Sequence, residues 1–155
     1  MIDERFQCEI LRASRTRLFN LIEATTSDII FKIPEGFNNN IMWQIGHCIT
    51  SQQRHMYMRS GLPMYISKDF MELFKIGSAP ATWQINPDVI EVKQLLSETI
   101  NRLESDLQSG LFINYEPFEL PIGIQVKNHI HALQAAIYHE AEHSGIINMY
   151  LKLLS

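Results

Sequence analysis

The stretch Tyr138-His139-Glu140-Ala141-Glu142-His143 lies in an apolar-periodic segment, Ile130 to Leu154, whose spacing predicts a long helix. Residues four positions apart lie about one turn, or roughly 6 Å, apart along one helix face, so both imidazoles project from the same side. This geometry suits one metal ion that takes two nitrogen ligands from one helix. Two hydrogen-bonded histidines without a metal would fit the pattern equally well. The same face carries mostly small or apolar residues: Ala132, Ala135, Ala136, Ile146, Ile147 and Tyr150.

Three further segments carry apolar residues at helical spacing, and turn-forming residues separate them. We predict helices from about Asp3 to Thr25, from Ile41 to about Arg59, and from Asn86-Pro87 to a stop at Gly110, with Asn128 capping the last helix. Four amphipathic helices in 155 residues predict one all-α domain, residues 1–155, folded as a four-helix bundle. The predicted buried face of the first helix is Phe6, Ile10, Ala13, Leu18, Leu21 and Ile22, with Arg12, Arg15 and Glu23 off this stripe.

Two long connections join the predicted helices. Residues 63–86 carry several aromatic side chains, and Ser67 is placed to cap a short helix that ends at Phe74. A long connection in a small domain is usually functional or a packed cover, and the aromatic residues favour a cover. Residues 111–126 contain prolines and a glycine and are expected to be irregular or short extended structure. Gly46, in the middle of the second helix, indicates close packing beside His47.

Composition and charge restrict the class of protein. The net charge is −4, the sequence pI is about 5.8, and no block of Lys or Arg occurs, which argues against a general surface for nucleic acid or anionic membrane. No apolar run reaches transmembrane length, and the residues after Met1 lack the pattern of a signal peptide. Cys8 and Cys48 form no disulfide framework, so we expect a cytoplasmic protein. From the charge and the lack of a long apolar run, we expect neither a nucleic-acid nor a membrane partner.

The pair His139 and His143 also satisfies H-E-x-x-H, the zinc-peptidase pattern in which Glu140 would be the general base. The metzincin form of that pattern requires glycine at position 146 and histidine at position 149, where this chain has Ile146 and Met149. Few residues follow His143, so a third ligand must come from upstream. A peptidase reading is therefore disfavoured.

His47 is the best candidate for the third ligand, because it lies in the middle of the second predicted helix on a semi-polar face. Cys48 follows it directly but points about 100° away around the helix. The remaining candidates, His55, His129 and His131, are expected at the surface.

The stretch Pro34-Glu35-Gly36-Phe37-Asn38-Asn39-Asn40-Ile41-Met42-Trp43-Gln44-Ile45-Gly46-His47 resembles the asparagine-then-Trp-x-x-x-His signature of the DinB/YfiT-like superfamily. The loop Gly77-Ser78-Ala79-Pro80 and the stretch His139-Glu140-Ala141-Glu142-His143-Ser144-Gly145-Ile146 are similar to further parts of its pattern. The resemblance implies an up-down-down-up four-helix bundle, commonly a homodimer, that holds one divalent ion on His47, His139 and His143. Members of the family are described as metal-dependent hydrolases, and some relatives are thiol-dependent S-transferases or isomerases that use bacillithiol, mycothiol or glutathione.

Three neutral imidazoles leave a divalent ion its full charge and open coordination positions, which suits activation of water or a thiol against a small electrophile. Zinc or nickel is expected first, with iron and manganese as alternatives, since imidazole suits them all. Trp43, Gln44 and Arg54 are expected to line the substrate side. Glu140 is either a general base or simply a helix carboxylate at the edge of the bundle. The competing hypotheses are a non-catalytic, metal-stabilised binding or stress-response module, and a bundle without metal.

Overall fold

The computed structural model describes residues 3–154, and within them the chain is mainly helical. Its helices are α1 (Glu4–Ala24), α2 (Ser27–Ile30), α3 (Ile41–Met56), α4 (Lys68–Phe74), α5 (Val89–Gln108) and α6 (His129–Leu154). Short 3-10 turns occupy Met58–Ser60 and Pro80–Thr82, and β1 (Phe118–Glu119) pairs antiparallel with β2 (Gln125–Val126). The long helices α1, α3, α5 and α6 form the all-α four-helix bundle predicted from the sequence. Of the described helices, none has both the length and the apolar character needed to cross a bilayer.

Side-chain pairs between helices establish the direction of each helix relative to α1. Helix α1 runs antiparallel to α5, because early residues of one helix pair with late residues of the other: Arg12 with Glu104 and Glu23 with Lys93. Helix α1 runs parallel to α6, because the order of the pairs is the same along both helices: Arg15 with Glu140 and Arg17 with Asn148. Helix α3 runs antiparallel to α6, because the first half of α3 shares an apolar cluster with Ile147 and Tyr150 late in α6, and Met56 at the end of α3 shares another with Ala132 and Leu133 early in α6. The first halves of α3 and α5 share one apolar cluster and their second halves share another, so these two helices are parallel. The topology is therefore up-down-down-up.

Polar side chains define where the helices begin. Asn40 Oδ1 accepts a hydrogen bond of 2.8 Å from the backbone N–H of Trp43, and Asn128 Oδ1 accepts one of 2.9 Å from His131, as their positions predicted. Ser67 caps α4 in the same way. The start predicted for the third long helix was wrong by about two residues. Asp88, not Asn86, is the cap, because its Oδ1 accepts a bond of 2.8 Å from the N–H of Ile90.

The buried face of α1 differs from the predicted one in its first half. Phe6 and Ile10 are 58% and 40% exposed, and Ala13 is exposed as well. The buried stripe consists instead of Gln7, Cys8, Leu11, Arg15, Leu18 and Ile22. The prediction followed the most apolar residues, whereas Arg15 occupies a central position of the true stripe. An arginine is buried there because Glu140 of α6 pairs with it, and a pattern of hydrophobicity cannot show that pairing.

Gly46 lies where α3 meets α4, and a Cβ at this position would overlap the ring of Phe74. We expect Gly46→Ala to lower the free energy of unfolding by about 1–3 kcal/mol through overpacking, even though alanine favours a helix. Gly145 in the middle of α6 is the matched control, since its added Cβ meets nothing within 4 Å. Gly145→Ala should raise the free energy of unfolding by about 0.5–1 kcal/mol. Urea denaturation measures both variants, and equal effects of the two substitutions would contradict the packing argument.

Candidate metal centre

Three histidines converge where α3 and α6 pack against each other. The ring centroid of His47 lies 5.0 Å from that of His139 and 5.0 Å from that of His143, and the last two lie 4.3 Å apart. One ligand nitrogen from each ring can be chosen so that all lie within 4.8 Å of one another. Nitrogens bound at about 2.1 Å to one tetrahedral ion lie roughly 3.4 Å apart, so small ring rotations close the site. The sequence prediction of His47 as the partner of His139 and His143 therefore agrees with their placement.

The orientation of His47 is set by its neighbours in α3 and α4. Its Nδ1–H donates to the carbonyl oxygen of Phe74 at 2.8 Å, which leaves Nε2 as the unprotonated nitrogen. The ring of Trp43, one turn earlier, stacks on the imidazole with centroids 4.6 Å apart and planes only 9° apart. Trp43 is itself held by a hydrogen bond of 2.9 Å from its Nε1 to Ser78 Oγ. The imidazole is thus fixed with Nε2 directed at the other two histidines.

A second set of hydrogen bonds orients His143. Its Nδ1–H donates to Gln44 Oε1, and Gln44 Nε2 donates to Asn39 Oδ1 at 2.6 Å. The hydroxyl of Tyr150 donates to the same Asn39 oxygen at 2.7 Å. His143 Nε2 lies 3.0 Å from His139 Nε2, so it also faces the cluster. Outer partners that fix the tautomer and ring direction of a histidine in this way are usual for metal ligands.

Burial keeps these imidazoles in the neutral form that a metal requires. It lowers the pKa of His139 to about 3, with a further contribution from the positive charge its histidine neighbours would carry. Burial and His47 lower the pKa of His143 to about 4. The pKa of His47 is also lowered by burial, and the Phe74 carbonyl partly opposes the shift. At neutral pH no proton has to leave before a cation binds.

The other predicted site residues lie in different surroundings. Trp43 is 7% exposed and Gln44 is 2% exposed, and both contact a histidine of the cluster directly. Arg54 is half-buried on the helix face of His47. Glu140 is not at the edge of the bundle, as one of its two interpretations had it, because its side chain is only 2% exposed. Its Oε2 accepts a hydrogen bond of 2.7 Å from Arg15 Nε, on the side of α1.

Several residues of the site carry no signal that sequence reasoning could use. The carbonyl of Phe74 is a backbone atom, and Asn39 was one of three asparagines interpreted only as candidate caps.

His55 was expected at the surface, and this was wrong. It is half-buried, its ring packs on Phe118 at 4.7 Å, and burial lowers its pKa to about 4. His129 and His131 are likewise partly buried.

Fold and site together define a four-helix-bundle protein with a three-histidine cluster suited to one divalent metal ion. The chain belongs to the DinB superfamily, whose family profile matches residues 10–147. Among solved structures, the crystal structure of a conserved protein from Enterococcus faecalis is similar to it, with a TM-score of 0.61 and 16% identity over 99% of this chain and 98% of that chain. This likeness shows the fold. No curated protein matches the sequence.

Proposed function

We propose that this protein is a metal-dependent enzyme in which His47, His139 and His143 hold one divalent cation that acts on a small electrophile. The observation that carries the proposal is a ligand set of three neutral imidazoles with no fourth protein ligand among residues 3–154. Structural zinc sites are usually closed by four protein ligands, whereas catalytic sites keep a position open. Cys48 is buried, and burial holds the pKa of its thiol well above its ordinary value, so it is a poor candidate to close the site.

The ion would supply Lewis acidity that lowers the pKa of a water or thiol at its open position. The chain supplies orientation, since hydrogen bonds at Nδ1 of His47 and His143 direct both Nε2 atoms into the site. It also supplies access, because His139 and His143 are partly exposed. Neutral imidazole binds zinc, nickel, iron and manganese. We place zinc and nickel first and keep iron and manganese as alternatives.

The remaining predicted residues take different roles in this proposal. Trp43 and Gln44 hold the ligands in place, since each contacts a histidine and is itself buried. Ser51 Oγ lies 3.3 Å from His47 Nε2 and therefore borders the ligand nitrogen of that histidine. We do not assign proton transfer to Glu140, because its carboxylate is buried against Arg15.

The proposal is tested with tag-free protein loaded with zinc or nickel and assayed for hydrolysis of small esters and for thiol addition to small electrophiles. We expect metal-dependent turnover that a chelator abolishes and that returned metal restores. His139→Ala is the matched control and should show no turnover above the metal-free protein. Loaded protein that is no faster than metal-free protein across the whole panel would contradict catalysis and favour the non-catalytic, metal-stabilised module.

We also propose a cytoplasmic homodimer that binds a small molecule, with a low-molecular-weight thiol as one candidate, and neither nucleic acid nor a membrane. The acidic net charge of −4 supports the exclusion of nucleic acid. Cys8 and Cys48 are both free and buried, which suits a reducing compartment. The exposed apolar side chains of Phe6 and Ile10 on α1 support a second copy of the chain as partner. Light scattering of the purified protein would reveal a monomer if the dimer is wrong.

A further inference from the structure

Arg54 lies seven residues after His47 on α3. Seven residues rotate a helix by almost two full turns, so the two side chains leave within about 20° of each other, roughly 10 Å apart along the axis. Helical side chains lean toward the N-terminus, so a side chain as long as that of Arg54 is able to reach back toward the turn that carries Ser51 and His47.

Arg54 differs from the other buried or partly buried arginines among the described residues, because it has no carboxylate partner. Arg12 pairs with Glu104, Arg15 with Glu140 and Arg59 with Glu116. In the part of the chain that the structure describes, Arg54 is half-buried and has neither a carboxylate partner nor a hydrogen-bond acceptor. Partial burial removes water from a charged group at a cost that an ion pair normally offsets. A guanidinium held without such a partner beside a ligand site has a planar set of donors that matches a carboxylate.

The charge around the histidine cluster points the same way. Three neutral imidazoles do not reduce the charge of a divalent ion, and Arg54 adds a further positive charge. Within the H-E-x-x-H stretch, the acidic residue Glu140 is buried, and its ion pair with Arg15 already neutralises its negative charge. His55, next to Arg54, has a buried Nδ1 without a hydrogen-bond partner among the described residues. A site with this excess of positive charge attracts anions.

We propose that Arg54 binds a carboxylate of the substrate, so that the site takes small molecules carrying a carboxylate together with the group that reaches the metal. This inference rests on the proposed function, because it places the second group of the substrate at the open side of the three-histidine site. The carboxylate contact orients the molecule, and the histidine-held ion receives its other end. Arg54 is in this account a substrate-binding residue, distinct from the ligand-holding Trp43 and Gln44.

The test compares two thiols of equal length, 3-mercaptopropionate and 3-mercaptopropionamide, on protein loaded with Co²⁺. Binding is followed through the thiolate-to-cobalt absorption band. We expect the carboxylate thiol to bind the parent protein about tenfold more tightly, the usual effect of a hydrogen bond to a charged group. Arg54→Gln should abolish this preference without changing the cobalt content. Arg17→Gln is the matched control, since Arg17 is an exposed arginine that bonds Asn148, and it should leave the preference intact.

Each outcome of this experiment is decisive. Equal affinity of the parent protein for the two thiols, or a preference that survives Arg54→Gln, would overturn the carboxylate site and leave the proposed function standing. Protein that holds no cobalt would overturn the proposed function itself and the inference with it, whereas protein that holds cobalt but binds neither thiol would overturn the carboxylate site alone. Arg54→Lys provides a check on folding and charge, and it should keep part of the preference, because lysine retains the charge but not the bidentate geometry.

Discussion

Glu140→Ala is expected to lower the free energy of unfolding by about 3–5 kcal/mol, the usual consequence of removing one partner of a buried ion pair. Arg15 and Glu140 are each only 2% exposed, and Arg15 Nε donates to Glu140 Oε2 at 2.7 Å. Without the carboxylate, the guanidinium is left as an unpaired charge between α1, α3 and α6. Among the described residues, the other hydrogen bond of this guanidinium runs from Nη2 to the carbonyl oxygen of Cys48 at 3.3 Å, which is long and cannot compensate. Urea denaturation of the parent and the variant measures the difference.

Two controls separate the ion pair from general damage to α6. Glu142→Ala removes an exposed carboxylate of the same helix that only accepts a bond from the Tyr138 hydroxyl, and it should change the stability by less than about 0.5 kcal/mol. The double variant Arg15→Met, Glu140→Met should be within about 1 kcal/mol of the parent, because it removes both charges together. Arg15 Nη1 and Glu140 Oε1 have no hydrogen-bond partner among the described residues, so little polar bonding is lost with the pair. A single variant as stable as the parent would show that the pair is unimportant.

Metal binding is expected to stabilise the protein strongly. Free ion at a thousand times its dissociation constant adds about 4 kcal/mol to the free energy of unfolding, provided that the unfolded chain does not bind it. For a chain of this size that corresponds to an increase in melting temperature of roughly 10 °C. Calorimetry with and without a chelator measures the increase. His139→Ala should show no such increase, and a variant that is stabilised as much as the parent would contradict the site.

The elements of the fold could be predicted because their signals are local. Caps such as Asn40 and Asn128 act on backbone groups only a few residues away, and they define helix starts correctly. The exposed face of α1 could not be predicted, because it depends on Arg15 meeting Glu140 across the bundle, 125 residues away in sequence. Asn86 was predicted as the cap of α5 instead of Asp88, since both residue types suit that position. Local chemistry alone does not choose between them.

The candidate site shows the same division. His139 and His143 followed from helical spacing, and His47 from its position on a semi-polar helix face and from the family resemblance. The groups that orient them were predicted only in part. Trp43 and Gln44 were expected at the site but on its substrate side, since the bond from His143 to Gln44 forms only when α3 and α6 pack. The Phe74 carbonyl, which binds His47, has no side-chain signature. Gly46 was interpreted correctly as a close approach, although nothing in the sequence identified Phe74 as the neighbour.

Mass spectrometry after removal of unbound ions measures the metal content of tag-free protein and of the triple variant His47→Ala, His139→Ala, His143→Ala. We expect about one divalent ion per parent chain, the number that a single three-imidazole site holds, and almost none in the variant. Circular dichroism should confirm that the variant remains helical. A folded triple variant that keeps the parent's metal content would show that these three histidines do not bind the ion.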